Sequence, residues 1–276
     1  MKFKLKQEKL QELLEKLIVR DIFPSSIITI SKDSKTDEPV LFSIQKEGHG
    51  RAFRYLKVNK DFFIEIEECE ESIEVDVDRT LNVIKKINPG TELTIETEGN
   101  KLVITGEYKE LDKDGNVKSK RIVAPHISYK EPNQDILREI PFKFDGNYPV
   151  IGKDKVKIDN HFLFNLEDMK EITEFAGTVK TEYYQVTMEK DNLTIRVGDL
   201  HDFSDFVNYS PRYEMKNGGA FKLILSYAVA EVADTFRISP INCMMTTDTP
   251  AWLFEKTNEY LFGVLIPPYV PDESET

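Results

Sequence analysis

Four histidines, two cysteines and an acidic run are the residues here whose types suit metal or acid–base chemistry. His49, His126, His161 and His201 are scattered, none has a partner at metal-ligand spacing, and no H-E-x-x-H pair occurs. They read as surface or hydrogen-bonded histidines. Cys69 and Cys243 stand in no C-x-x-C or His/Cys cluster, which suits two ordinary thiols in a reducing compartment. The run "EIEECEESIEVDVD" offers carboxylates for a paired acid and base, but no nucleophile accompanies it and such runs are usually solvated. "GHGRAF" begins like a phosphate-cradling loop, yet the third glycine is missing and the residues after it read as a strand. "DKDGN" lacks the spacing and terminal glutamate of a calcium loop and reads as a hairpin turn. No G-x-S-x-G occurs. The expectation is a protein that is not an enzyme, with no metal and no cofactor.

Composition bounds what such a protein does. The chain has 276 residues, 40% of them hydrophobic and 11% aromatic, enough for one large domain or two ordinary ones. No apolar run approaches the ~20 residues of a bilayer span, and the amphipathic start "MKFKLKQEKLQELLEKL" is unlike a signal peptide. It reads as soluble and unsecreted. A net charge of −12 argues against coating nucleic acid indiscriminately but leaves room for a locally basic face.

The elements alternate in kind along the chain. Leu10, Leu13, Leu14, Leu17 and Ile18 fall at i, i+3, i+4, i+7 and i+8, which predicts a helix over 8–20. Short β-branched and aromatic runs follow and predict antiparallel strands. "VDVDRTLNVIKKINPG" returns to helical spacing, with Asp78 as N-cap and Pro89-Gly90 as its stop. Two alternating strands then meet at Glu98-Gly99-Asn100, a hairpin signal. "SYKEPNQDILREIPF" reads as an extended linker, and beyond it the order of helix, strands, helix and hairpin recurs. At the end, Pro267-Pro268 stops an apolar strand because proline has no amide donor for the ladder.

Two blocks carry a resemblance. "VDVDRTLNVIKKINPGTELTIETEGNKLVITGE" resembles the second helix and following hairpin of the sliding clamps of the proliferating cell nuclear antigen family. "SYAVAEVADTFRISPINCMMTTDTPAWLFEKTNEYLFGVLIPP" resembles the family's C-terminal helix and hairpin, with Asp248-Thr249-Pro250 as the D-x-P turn and Leu265-Ile266-Pro267 as the last strand end. The resemblance implies an α+β fold of two similar clamp domains, each with antiparallel sheets outside and two helices lining an inner face. It divides the chain into an N-terminal domain 1–126, an interdomain linker 127–140 and a C-terminal domain 141–276. It further implies a polymerase processivity factor: a ring, usually a homotrimer, around duplex DNA, set there by a clamp loader and docked by polymerases and other proteins carrying a short clamp-binding motif. Such a protein is cytoplasmic if archaeal, bacterial-type or viral, and nuclear if eukaryotic. Alternatives left open are a specialised subunit of a hetero-oligomer, a viral or plasmid clamp, and a protein-only adaptor that no longer encircles DNA.

A ring that slides on DNA needs cations that meet phosphate without reading bases. The candidates are Lys9, Lys16 and Arg20 on the first helix, Arg79, Lys85 and Lys86 on the second, and Lys170 and Lys222 in the second half, where "NLEDMKEITEF" predicts a neutral or acidic face. For the partner pocket the resemblance points to Ile127, Tyr129, Ile136 and Leu137 of the linker with Pro250, Val264, Leu265, Ile266 and Pro267 of the last hairpin. Edge strands either pair or must be blunted. The strand around 117–124 of one copy is therefore expected to add to the strand around 205–209 of the next.

Overall fold

Side chains that alternate between core and solvent set the first element. In the computed structural model the described residues are 1–18, 23, 25–33, 35–47, 50, 52–67, 71–111, 117–123, 127–130, 142–145, 148–151, 158–179, 183–190, 192–198, 206–226 and 228–269. The chain divides into two compact units. Met1–Gln45, Tyr55–Arg138 and Lys256–Leu261 make the first; Lys46–Arg54, Glu139–Glu255 and Phe262–Thr276 make the second.

The first unit opens on β1 (Lys2–Lys6), a strand absent from the helical reading of the N-terminus. Phe3 and Leu5 are buried while Lys2, Lys4 and Lys6 alternate with them on the more exposed side, the period of two that a half-buried strand requires. Helix α1 (Gln7–Leu17) follows without a break and buries Leu10, Leu13, Leu14 and Leu17 along one stripe. Next come β2 (Ser25–Lys32), β3 (Pro39–Lys46), β4 (Phe53–Val58), β5 (Glu65–Ile66) and β6 (Glu71–Asp76). Helix α2 (Val77–Ile84) is capped by Asp76, whose carboxylate accepts from the Arg79 amide at 2.9 Å. The cap is thus Asp76 rather than Asp78. Val77 is fully buried and already helical, so the start lies two residues earlier, and Asp78 becomes an exposed acid of the first turn.

Strands β7 (Glu92–Glu98) and β8 (Lys101–Leu111) form the predicted hairpin, pairing Glu98 with Lys101 across Gly99, which takes φ 63°. With β9 (Val117–Val123) and β10 (Ile127–Lys130) they complete a sheet ordered β4-β3-β2-β6-β10-β8-β7-β1-β5 in this unit, with β9 attached to β8. Among the described residues β9 has no second neighbour.

The second unit contains β11 (Phe142–Asp145), β12 (Tyr148–Ile151), β13 (Asn160–Phe164), helix α3 (Leu166–Val179), β14 (Tyr183–Glu189), β15 (Asn192–Gly198), β16 (Phe206–Tyr209), β17 (Tyr213–Asn217) and β18 (Phe221–Ser226). Helix α4 (Ala228–Ala233), β19 (Ile241–Met245), β20 (Ala251–Lys256) and β21 (Tyr260–Ile266) complete it. One sheet runs β16-β15-β14-β18, with β16 at its edge; another runs β17-β13-β19-β20-β21. Helix α3 packs on α4 and buries Leu166, Met169, Ile172 and Ala176. Between β20 and β21, Trp252 lies so close over Gly263 that a Cβ there would stand 2.3 Å from the indole.

Beyond Ile266 the two prolines do not release the chain. Pro268 bridges Leu225, and the first amide available after the prolines, that of Tyr269, donates to the Ile224 carbonyl at 2.8 Å. The Tyr269 ring then lies against Tyr183, with centroids 4.0 Å apart.

Candidate functional site

The cations of the first unit differ sharply in freedom. Lys9 reaches the Glu259 carboxylate at 2.5 Å and Glu12 at 3.4 Å, with its ammonium over the Phe62 ring. Burial acts to lower the Lys9 pKa, but the hydrogen bond and charge of Glu259, with Glu12, outweigh it and hold the ammonium above the ordinary lysine value. Lys16 is only 2% exposed and its ammonium sits 4.5 Å above the Tyr260 ring. It is therefore a core residue capped by a cation–π contact, not a group that faces phosphate, because the 257–259 turn and Tyr260 cover that side of α1. Arg79, Lys85 and Lys86 are exposed. Arg20 lies outside the described residues.

In the second unit the exposed face of α3 carries Glu167, Glu171 and Glu174, and Lys170 is half-buried among them. Asp168 is engaged by Arg212: Nη2 donates to it at 2.5 Å, Nε at 3.1 Å, and the Arg212 amide at 2.7 Å. The guanidinium hydrogen bond holds the Asp168 carboxyl below the usual range. Tyr209 of β16 also meets Phe175 of α3, ring centroids 5.9 Å apart. The edge strand and its following turn are thus tied to the helix at two points. Nothing in "SPRYE" announces the Arg212 fork, since its partner lies 44 residues away.

A pocket of about 350 Å³ opens beside β18, lined by Lys222, Leu223, Ile224, Thr247, Asp248, Pro268 and Tyr269. Its floor is strand, and its far wall is the chain segment that the Tyr269 amide fastens to Ile224. None of the residues expected to line a partner pocket is among these lining residues. Val264, Leu265 and Ile266 have no exposed surface at all, because both faces of β21 are covered. The wall falls to Pro268 and Tyr269, immediately after the strand. Pro250 and Pro267 are half-buried near that end of the chain. Lys222, expected to face DNA, lines this pocket with Asp248. Tyr129 belongs to the first unit, where its hydroxyl donates to the Gly99 carbonyl at 2.6 Å and pins the hairpin turn. Ile127 begins β10, its side chain outside the description, and Ile136 and Leu137 lie outside the described residues altogether.

The remaining chemistry-bearing residues have structural places. His161 shares a 3.0 Å hydrogen bond with the Asn242 side chain and stacks on Phe254. Cys243 is buried and its thiol is pushed up by desolvation, which makes it inert as a nucleophile. His49, His126, His201 and Cys69 are outside the described residues.

No protein-family model matches the sequence, and no curated protein matches it. Solved structures do match. The C-terminal region of FEN-1 bound to A. fulgidus PCNA gives a TM-score of 0.69 at 14% identity, covering 99% of this chain and 99% of that one. The proliferating cellular nuclear antigen of Entamoeba histolytica gives 0.69 at 9% identity over 98% of each chain. The PCNA2–PCNA3 complex of Sulfolobus tokodaii gives 0.67 at 15% identity over 97% of this chain and 99% of that one. From end to end, the chain has the two-domain fold of the proliferating cell nuclear antigen sliding clamps.

Proposed function

We propose that this protein is a DNA sliding clamp, a non-enzymatic processivity factor that surrounds duplex DNA and tethers the enzymes that work on it. The observation that carries the reading is the coverage: the likeness spans 97–99% of this chain and 98–99% of each clamp, with nothing large added or missing. Two features of the chain support it. The strands β9 and β16 present unpaired edges among the described residues, and antiparallel addition of β9 to β16 of the next copy gives a head-to-tail contact that closes into a ring, a homotrimer in this reading. The exposed cations Arg79, Lys85 and Lys86 sit on one helix and its end, where they can meet phosphate.

The pocket beside β18 is the docking site for partner segments, polymerases among them. Its aliphatic floor with Tyr269 and Pro268 suits an apolar anchor, and Lys222 and Asp248 provide the polar rim. The similar A. fulgidus clamp was solved with the C-terminal region of FEN-1 bound to it. A hetero-oligomeric ring is the second reading. It is favoured by the glutamates on the exposed α3 face and by similarity to one chain of a PCNA2–PCNA3 complex. Native mass spectrometry together with loader-dependent retention on circular duplex DNA tests both. A closed homo-oligomer retained on circles and lost on linearisation supports the clamp. Assembly only with a second chain supports the hetero-oligomer, and a stable monomer that is never retained overturns both in favour of an adaptor.

A further inference from the structure

We infer that Lys6, a strand residue, joins Lys85 and Lys86 in a single corner that holds the phosphate backbone of duplex DNA. The inference rests on the clamp reading and specifies where the first unit grips the duplex. Three hydrogen bonds bring the residues together. The buried Gln7 side chain donates to the Ile84 carbonyl at 3.0 Å, its amide donates to the Thr91 carbonyl at 2.8 Å, and Glu8 accepts from the Gly90 amide at 2.8 Å. Lys6 directly precedes Gln7, and Lys85 directly follows Ile84, so the start of α1 and the end of α2 are fastened into one junction.

All three lysines are exposed there, and none has a salt-bridge partner among the described residues. The other lysines of the same run are neutralised or hidden. Lys2 pairs with Glu67 at 2.9 Å, Lys4 with Glu92 at 3.0 Å and Lys9 with Glu259 at 2.5 Å, while Lys16 is buried. Glu8 is an exposed acid of the same corner and offsets part of its charge, so three ammonium groups stand against one carboxylate that the Gly90 amide already engages. Its own amide and that of Gly90 hold its pKa down, with Lys6 adding to the effect. Arg79 stands apart, roughly 9 Å up the helix from Lys85 at 1.5 Å per residue. Gln7, the side chain able to read a base edge, is committed to Ile84. Three ammonium groups on a rigid junction with no base-reading partner suit sequence-independent contact with phosphate.

The test is the salt dependence of binding to a fluorescein-labelled linear duplex, measured by anisotropy between about 50 and 200 mM salt. The slope of log affinity against log salt should fall by about 0.9 in Lys6→Ala, as in Lys85→Ala, and by about 2.7 in the triple variant. Lys6→Arg should restore it. Lys101→Ala, which removes an exposed hairpin cation elsewhere, should leave it unchanged. A wild-type slope in Lys6→Ala, an equal drop in Lys101→Ala, a drop confined to a single-stranded probe, or no duplex binding by wild type would each overturn the inference. Retention of wild type on circular duplex is measured separately, so failure of the clamp reading is distinguishable from failure of Lys6.

Discussion

The two units repeat an architecture but not a charge. In the first, the helix pair meets solvent with Arg79, Lys85 and Lys86 beside the acids Glu8, Asp76 and Asp78, and its one deeply placed cation, Lys16, serves the core. In the second, α3 shows Glu167, Glu171 and Glu174, and its best-placed cation, Arg212, is held by Asp168. Packing demands only an apolar stripe from each helix, so the exposed face is free to differ. Two similar halves can therefore share a fold while their exposed helix faces carry a mixed charge in one and glutamates in the other.

That contrast can be broken at its structural end first. Lys16→Glu should lower the stability of the first unit by about 3–5 kcal/mol, since it places a carboxylate where a cation packs on a ring. Urea denaturation followed by far-ultraviolet circular dichroism reads the loss, and a change below about 0.5 kcal/mol would return Lys16 to the surface. Gly263→Ala should cost about 1–3 kcal/mol in the second unit by forcing Trp252 out of its place, measured in the same way. By contrast, Lys85→Glu with Lys86→Glu should leave the midpoint within about 0.5 kcal/mol while shortening retention on circular DNA. Unchanged retention would remove both residues from the duplex-facing set.

The smallest effects concern pH. Asp33 in the first unit bonds Lys57 and has its pKa lowered to about 2, so its stabilisation is present above the unfolded value near 3.9 and disappears as pH falls toward 2. Asp33→Asn should flatten that acid-side loss in urea midpoints taken between about pH 4 and 2. Asp168 is lowered as well, by Arg212 rather than a lysine. Its contribution likewise vanishes as pH falls through its depressed folded value. Because Arg212 is well exposed, Asp168→Asn should shift stability by less than about 1 kcal/mol, and salt should shrink even that. An effect larger than that of Asp33→Asn would reverse the ranking of the two units.

Local pattern made much of this legible, and distant neighbours account for the rest. The leucine stripe of α1 and the Gly99 hairpin are set by residues close in sequence. Strand β1 escaped because it runs into α1 with neither glycine nor proline between Lys6 and Gln7. The helical wheel gives Lys16 to solvent, and only a turn more than 240 residues later covers it. The place of Pro268 and Tyr269 beside β18 was not legible, because a double proline ends a ladder without saying where the next amide will go. Here it goes to Ile224.

The chain has a single tryptophan, and it is the fully buried Trp252 stacked on Phe254 over Gly263 in the second unit. Its emission is consequently a private signal of one half of the molecule. If the halves melt at different temperatures, fluorescence and dichroism will trace separate curves, and the protein will report which half yields first without any label.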